Sequence, residues 1–270
     1  MKVSILGLGW IGEPLGHLLV ENSYQVIGST TKPEKRSILQ GNGIDARLLS
    51  LGPEPSGEDF EELFTADVLY VNIPPARRTR SDDFHIDQLG YLLEMVNKGS
   101  VKRAIYVSST SVYPDLNREV EEGLLLNPEN TGNPVLHKGE KIMQSFFGDR
   151  LTIIRFGGLL GDNRVPGRYF SGRLDVVGHA PANYVYRSDA VRSVHWIIRN
   201  DLWGEVYNIT APLHPAKREV YEANAKQLGF APPVSYGNEN ATWKLVSSAK
   251  FLATGFVFDY PDPCTFPYKL

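Results

Sequence analysis

Lys2-Val3-Ser4-Ile5-Leu6-Gly7-Leu8-Gly9-Trp10-Ile11-Gly12 follows the initial Met1 and decides how the rest of the chain is read. Lys2–Leu6 is a short, largely apolar run of the kind found in strands buried on both faces. Gly7, Gly9 and Gly12 come next with G-x-G-x-x-G spacing, and a helical pattern runs from Ile11 to Asn22. In this setting the first glycine permits a tight turn, the second lets backbone approach a pyrophosphate, and the third lets helix and strand pack closely. The helix N-terminus adds free N–H groups and the positive end of a dipole. Pro14 falls in the first turn, where its missing N–H costs little. The segment therefore predicts a dinucleotide cradle at Gly7, Gly9, Trp10, Ile11 and Gly12. The bland alternative is a strand–turn–helix corner with no ligand.

A second apolar run, Tyr24–Gly28, leads into Ser29-Thr30-Thr31-Lys32-Pro33-Glu34. A cradle for NAD usually carries an acid about 20 residues past the glycines, where it accepts a hydrogen bond from the ribose 2′-hydroxyl. Here that place holds hydroxyls and a cation, and the first acid, Glu34, lies beyond Pro33. Ser29, Thr30, Thr31, Lys32 and Arg36 suit a 2′-phosphate. The expected cofactor is NADP in preference to NAD. A solvated turn capping the next helix is the alternative.

The strand–helix rhythm continues. Ala66–Ile73 and Arg103–Ser108 read as strands; Glu34–Gln40, Asp82–Asn97 and Val135–Phe147 read as helices, and Leu151–Phe156 as a further strand. This alternation predicts an α/β fold with a doubly wound parallel sheet of the Rossmann type. After Phe156 the pattern degrades into a Gly- and Arg-rich stretch. A helix then resumes at Ser188–Arg199, followed by a strand at Glu205–Ile209 and a helix at Ala216–Leu228. The expected division is a dinucleotide-binding domain over 1–156 and a small C-terminal substrate lobe over 157–270, with roughly 184–210 returning to the sheet.

Composition narrows the function. The net charge of −3 argues against a general nucleic-acid or membrane-surface binder. The single cysteine, Cys264, forms no internal disulfide and supports no zinc cluster. No apolar stretch reaches the ~18 residues needed to span a bilayer. The expected setting is cytoplasmic, with no metal. There is no G-x-S-x-G elbow, phosphate-binding Walker loop or H-E-x-x-H motif.

The strand over Arg103–Ser108 ends in Ser108-Ser109-Thr110-Ser111-Val112-Tyr113-Pro114. Four consecutive hydroxyls at a sheet's carboxyl edge suit ligand contact better than core packing. Together with the glycine turn, with residues 157–170, Tyr184–Val191 and 204–221, and with the tail Ala253–Pro263, this segment resembles the extended short-chain dehydrogenase/reductase family. The likeness is to its atypical, NAD-dependent epimerase/dehydratase-like branch, the YeeZ-like group, and it covers nearly the whole chain.

The resemblance implies a hydroxyl near that strand end acting with a Tyr-x-x-x-Lys pair. Ser109, or its neighbour Thr110, takes the hydroxyl's place. No tyrosine in the chain has Lys four residues on; the expected position reads His137-Lys138-Gly139-Glu140-Lys141. His137 is the candidate proton shuttle and Lys141, with Lys138 as rival, the candidate ribose ligand; an ordinary first-turn helix residue is the competing reading of His137. The resemblance also places Ile73, Pro74 and Pro75 against the cofactor, and implies a homodimer through two long helices.

Between Arg150 and Arg187 the chain carries six arginines against two aspartates. Arg164, Arg168 and Arg173, with Arg77 beyond Pro75, are candidates for an anionic small-molecule substrate, since guanidinium groups take phosphate or carboxylate bidentately. Two functions compete: an NAD(P)-binding oxidoreductase, epimerase or dehydratase acting on an anionic, nucleotide-sugar-like substrate, and a catalytically inactive NADP-binding sensor or scaffold.

Overall fold

The computed structural model describes residues 1–52, 54–74, 81–237 and 240–269. Its framework is one eight-stranded sheet. From β1 (Lys2–Leu6) the chain passes through α1 (Gly12–Glu21), β2 (Gln25–Thr30), α2 (Pro33–Gly41), β3 (Asp45–Leu51) and β4 (Pro55–Glu58). It continues through β5 (Val68–Val71), α3 (Asp82–Lys98), β6 (Arg103–Ser109) and α4 (Pro134–Phe147). The sheet order, from one edge, is Val206–Ile209, Leu151–Phe156, β6, β5, β1, β2, β3, β4. β1 pairs in parallel with both β2 and β5, so the order reverses at the first strand, the geometry of a doubly wound sheet.

The expected α/β Rossmann-type fold is what the chain forms, with two differences in detail. β4 runs antiparallel to β3, so the sheet is mixed at that edge. Its sequence, Pro55-Ser56-Gly57-Glu58, has no apolar signature, because an edge strand with exposed side chains needs none. β2 also runs two residues further than expected, to Thr30, and Ser29 and Thr30 are buried strand residues.

The chain forms two compact units. The first comprises Met1–Ser108, Asn133–Ile154 and Val194–Val206. Its core joins Leu6, Ile27, Leu69 and Val71 of the strands to Leu89, Leu92 and Val96 of α3 and Met143 and Phe147 of α4. Small residues set the spacing. A Cβ on Gly28 would lie 2.7 Å from the Leu8 side chain, so Gly28 makes the room that Leu8 fills. The second unit comprises Ser109–Gly132, Arg155–Ser193 and Tyr207–Leu270. It carries three short parallel pairs: Gly158–Leu160 with Tyr184–Tyr186, Val176–Val177 with Tyr236–Gly237, and Arg118–Val120 with Lys244–Val246. Asp189, fully buried, accepts the backbone N–H groups of Asp259 and Tyr260, both at 2.9 Å, and so fastens the C-terminal tail.

Candidate functional site

Within the first unit, the carboxyl ends of β1, β2, β3 and β5 surround a cavity of about 500 Å³. The glycine turn forms one wall, and each glycine is there for a different reason. Gly7 has φ +98°, and a Cβ on it would sit 2.8 Å from the Asn72 carbonyl oxygen. A Cβ on Gly12 would lie 2.1 Å from the Gly7 oxygen, so helix and turn touch there. Around Gly9 the nearest such atom is 4.0 Å away. The position that a pyrophosphate must approach is thus the one left open, and the residues present fit a dinucleotide.

Ser29 completes the turn. Its hydroxyl accepts the Gly7 N–H at 3.0 Å, and its carbonyl accepts the Leu8 N–H at 2.8 Å. The serine lines the cavity but its oxygen is engaged in shaping the loop. Thr30 is similar, since its hydroxyl accepts the Lys32 N–H at 3.3 Å where α2 begins. Thr31 and Lys32 are exposed and line the cavity. Arg36 is drawn elsewhere, to Glu58 at 2.9 Å, and does not line the cavity. Trp10, Ile11 and Gly12 are likewise absent from its lining, whereas Ile73 and Pro74 contribute to it. Pro75 and Arg77 lie outside the described residues.

Several lining residues escape a reading of the sequence: Lys35, Ser50, Asn72 and Gln88. Lys35 lies in the first turn of α2, three positions past Lys32, the extended residue that precedes the helix. Among the described lining residues there is no Asp or Glu.

The hydroxyl cluster divides by role. Ser108 is buried and hydrogen-bonds the Glu140 carboxylate at 2.6 Å; Thr110 is also buried. For Ser108 the expectation against core packing fails, because Glu140 gives its hydroxyl a partner inside. Ser109, in the second unit, accepts the Ser111 N–H at 3.1 Å as the cap of a short 3₁₀ turn, Thr110–Val112. This arrangement fixes the Ser109 oxygen and leaves its O–H proton free to donate.

On α4, in the first unit, His137 is 6% exposed and its Nε2 has no hydrogen-bond partner. Asn133 caps this helix, accepting the Leu136 N–H at 3.3 Å. Lys138 and Lys141 are exposed. Below them lies a buried polar row: His85 Nε2 meets the Tyr106 hydroxyl at 3.1 Å, His85 Nδ1 meets Gln88 Oε1 at 3.4 Å, and the Gln88 amide donates to the Leu51 carbonyl. Desolvation lowers the His85 pKa and raises that of Tyr106, so both stay neutral at pH 7.

The basic stretch is thinner than its composition suggests. Arg155 is buried and donates to the Tyr113 hydroxyl at 2.8 Å, and Arg187 pairs with Asp162. Arg164, Arg168 and Arg173 are exposed in the second unit.

No protein-family model matches the chain. It is 33% identical over 272 residues to the protein YeeZ of Escherichia coli K12, covering 99% of both chains. It is 25% identical over 301 residues to a Bacillus subtilis protein described as the uncharacterized UDP-glucose epimerase YtcB, covering 93% of this chain and 92% of that one. Among solved structures, the Bacillus cereus UDP-glucuronic acid 4-epimerase in complex with UDP-glucuronic acid and NAD superposes with a TM-score of 0.73 at 20% identity, covering 94% and 92% of the two chains.

Proposed function

Since the chain belongs to the YeeZ-like group of atypical, epimerase/dehydratase-like short-chain dehydrogenase/reductases, we propose that it is an NADP-preferring enzyme acting on an anionic, nucleotide-sugar-like small molecule. The observation that carries the cofactor reading is the cavity at the glycine turn, lined by Thr31, Lys32 and Lys35 and, among the described residues, by no carboxylate. Cations without an acid favour a 2′-phosphate over a free 2′-hydroxyl. The names of the relatives, which refer to UDP-sugars, support the substrate class. When bound, the nicotinamide supplies hydride transfer; the chain's own groups must place the substrate and handle its proton.

In this reading Gly9 admits the pyrophosphate, while Ile73 and Pro74 pack against the cofactor. Ser109 donates its hydroxyl proton to the reacting substrate oxygen. His137 exchanges the proton through Nε2, a buried ring nitrogen with no other partner. Lys141 holds the ribose hydroxyls, and Arg164, Arg168 and Arg173 receive the anionic part of the substrate. A second reading, an NADP-binding sensor or scaffold without turnover, draws support from the missing Tyr-x-x-x-Lys pair and from the exposure of Lys141.

The test is turnover on a panel of nucleotide sugars and aldehydes, followed both by NADPH oxidation and by product analysis. Ser109→Ala should slow it by about 10²-fold or more. His137→Ala should slow it as well. Turnover that survives His137→Ala unchanged would refute the histidine shuttle. No turnover on any substrate, with cofactor affinity indifferent to both substitutions, would establish the sensor reading instead.

A further inference from the structure

Three basic side chains stand at the start of α2, and they are committed differently. Arg36 is held by Glu58. Lys32 has no ion-pair partner among the described residues. Lys35 lines the cavity and is held by Glu13, with Nζ 2.6 Å from Oε2. The two side chains are 30% and 33% exposed, enough burial to make the pair stronger than a fully solvated one. Glu13 belongs to the first turn of α1, directly after Gly12, where the helix dipole favours a carboxylate. It does not itself line the cavity.

We propose that Glu13 is a specificity-determining residue: by holding Lys35, it weakens the site's affinity for the 2′-phosphate of NADP while leaving NAD unaffected. This deepens the NADP reading and rests on it for the position of the phosphate. A dianionic 2′-phosphate at this edge competes with the Glu13 carboxylate for one ammonium group. Glu13 also carries a charge of the same sign as the phosphate, and such repulsion reaches roughly 8–10 Å at moderate salt. Both effects have the same sign. NAD brings no charge to this position, so its binding leaves the Glu13–Lys35 pair intact. The chain thus tempers a preference that Lys32 and Lys35 alone would make steeper, keeping NAD within reach of the same cradle.

The experiment is calorimetric titration of the full chain with NADP and, separately, NAD, for wild type, Glu13→Gln, Lys35→Gln and the double variant, with thermal unfolding as a check on the fold. Glu13→Gln should tighten NADP by about three- to tenfold and leave NAD unchanged. Lys35→Gln should weaken NADP and abolish most of the gain from Glu13→Gln, since the two act through one pair. The gain should shrink in high salt. NADP affinity that stays the same or falls in Glu13→Gln would overturn the proposal, as would equal changes for both cofactors. If the wild type prefers NAD yet Glu13→Gln still tightens NADP alone, the inference stands and the overall NADP preference falls. If the wild type prefers NADP and Glu13→Gln moves nothing, the preference stands and the inference falls.

Discussion

Gly9 and Ser29 share a wall of the cavity and predict different phenotypes. Gly9→Val places a branched side chain where nothing but the cavity now lies, so it should abolish dinucleotide binding with the fold intact by circular dichroism. Ser29→Ala removes the oxygen that accepts the Gly7 N–H. It should destabilise the chain by about 1–3 kcal/mol in denaturant unfolding and weaken NAD and NADP equally, since it deforms the turn and not the phosphate end. Lys32→Glu should act on NADP alone, at a cost of about 1–3 kcal/mol if one charge-assisted contact is lost. The cradle was legible because each glycine answers a local geometric demand. The division of labour among Ser29, Thr30, Thr31 and Arg36 was not, since β2 ends at Thr30 and Glu58 arrives from an edge strand with no apolar pattern.

At the scale of elements, α3 and α4 close over β6 around a polar row in an otherwise apolar core. A Cβ on Gly139 of α4 would lie 2.7 Å from the Tyr106 hydroxyl and 3.2 Å from Leu89 of α3. Gly139→Ala should therefore cost about 1–3 kcal/mol despite its better helix propensity. His85 gives the pH dependence. Burial holds its folded pKa below the ordinary value near 6.5, so the unfolded chain takes up the proton first as the pH falls. The stability that neutral His85 contributes is full above about pH 6.5 and declines below it. The wild-type denaturant midpoint should fall between pH 7.5 and pH 5.5, and fall less for His85→Gln; equal slopes would assign the acid sensitivity to other groups. His195 and His214, whose pKa values burial also lowers, contribute with the same sign. Helix periodicity located α3 and α4 within a residue or two of where they lie. It could not find the partnership of Glu140 with Ser108, which joins residues 32 positions apart.

Across the whole molecule, the second unit depends on long-range ties that local patterns do not announce. Asp189, on the helix Arg187–Arg199, accepts two backbone N–H groups from the tail and pairs with Arg192 at 2.7 Å. Asp189→Ala should cost about 2–4 kcal/mol and expose the segment around Asp259 to protease, because two backbone donors lose their acceptor. The segment Ser109–Gly132 also joins this unit, although it sits in sequence between two of the three segments of the first. Strand–helix alternation, which reads neighbours along the chain, has no means of seeing that. What it does see is the sheet whose reversal at β1 sets the cavity over the glycine turn. The proposed function depends on that cavity holding NADP. Titration of the wild-type chain with NADP and NAD at one fixed ionic strength tests it most directly. Saturable binding of both, with NADP tighter by about tenfold or more, is the predicted result; NAD binding as tightly as NADP, or affinities that survive Gly9→Val, would contradict it.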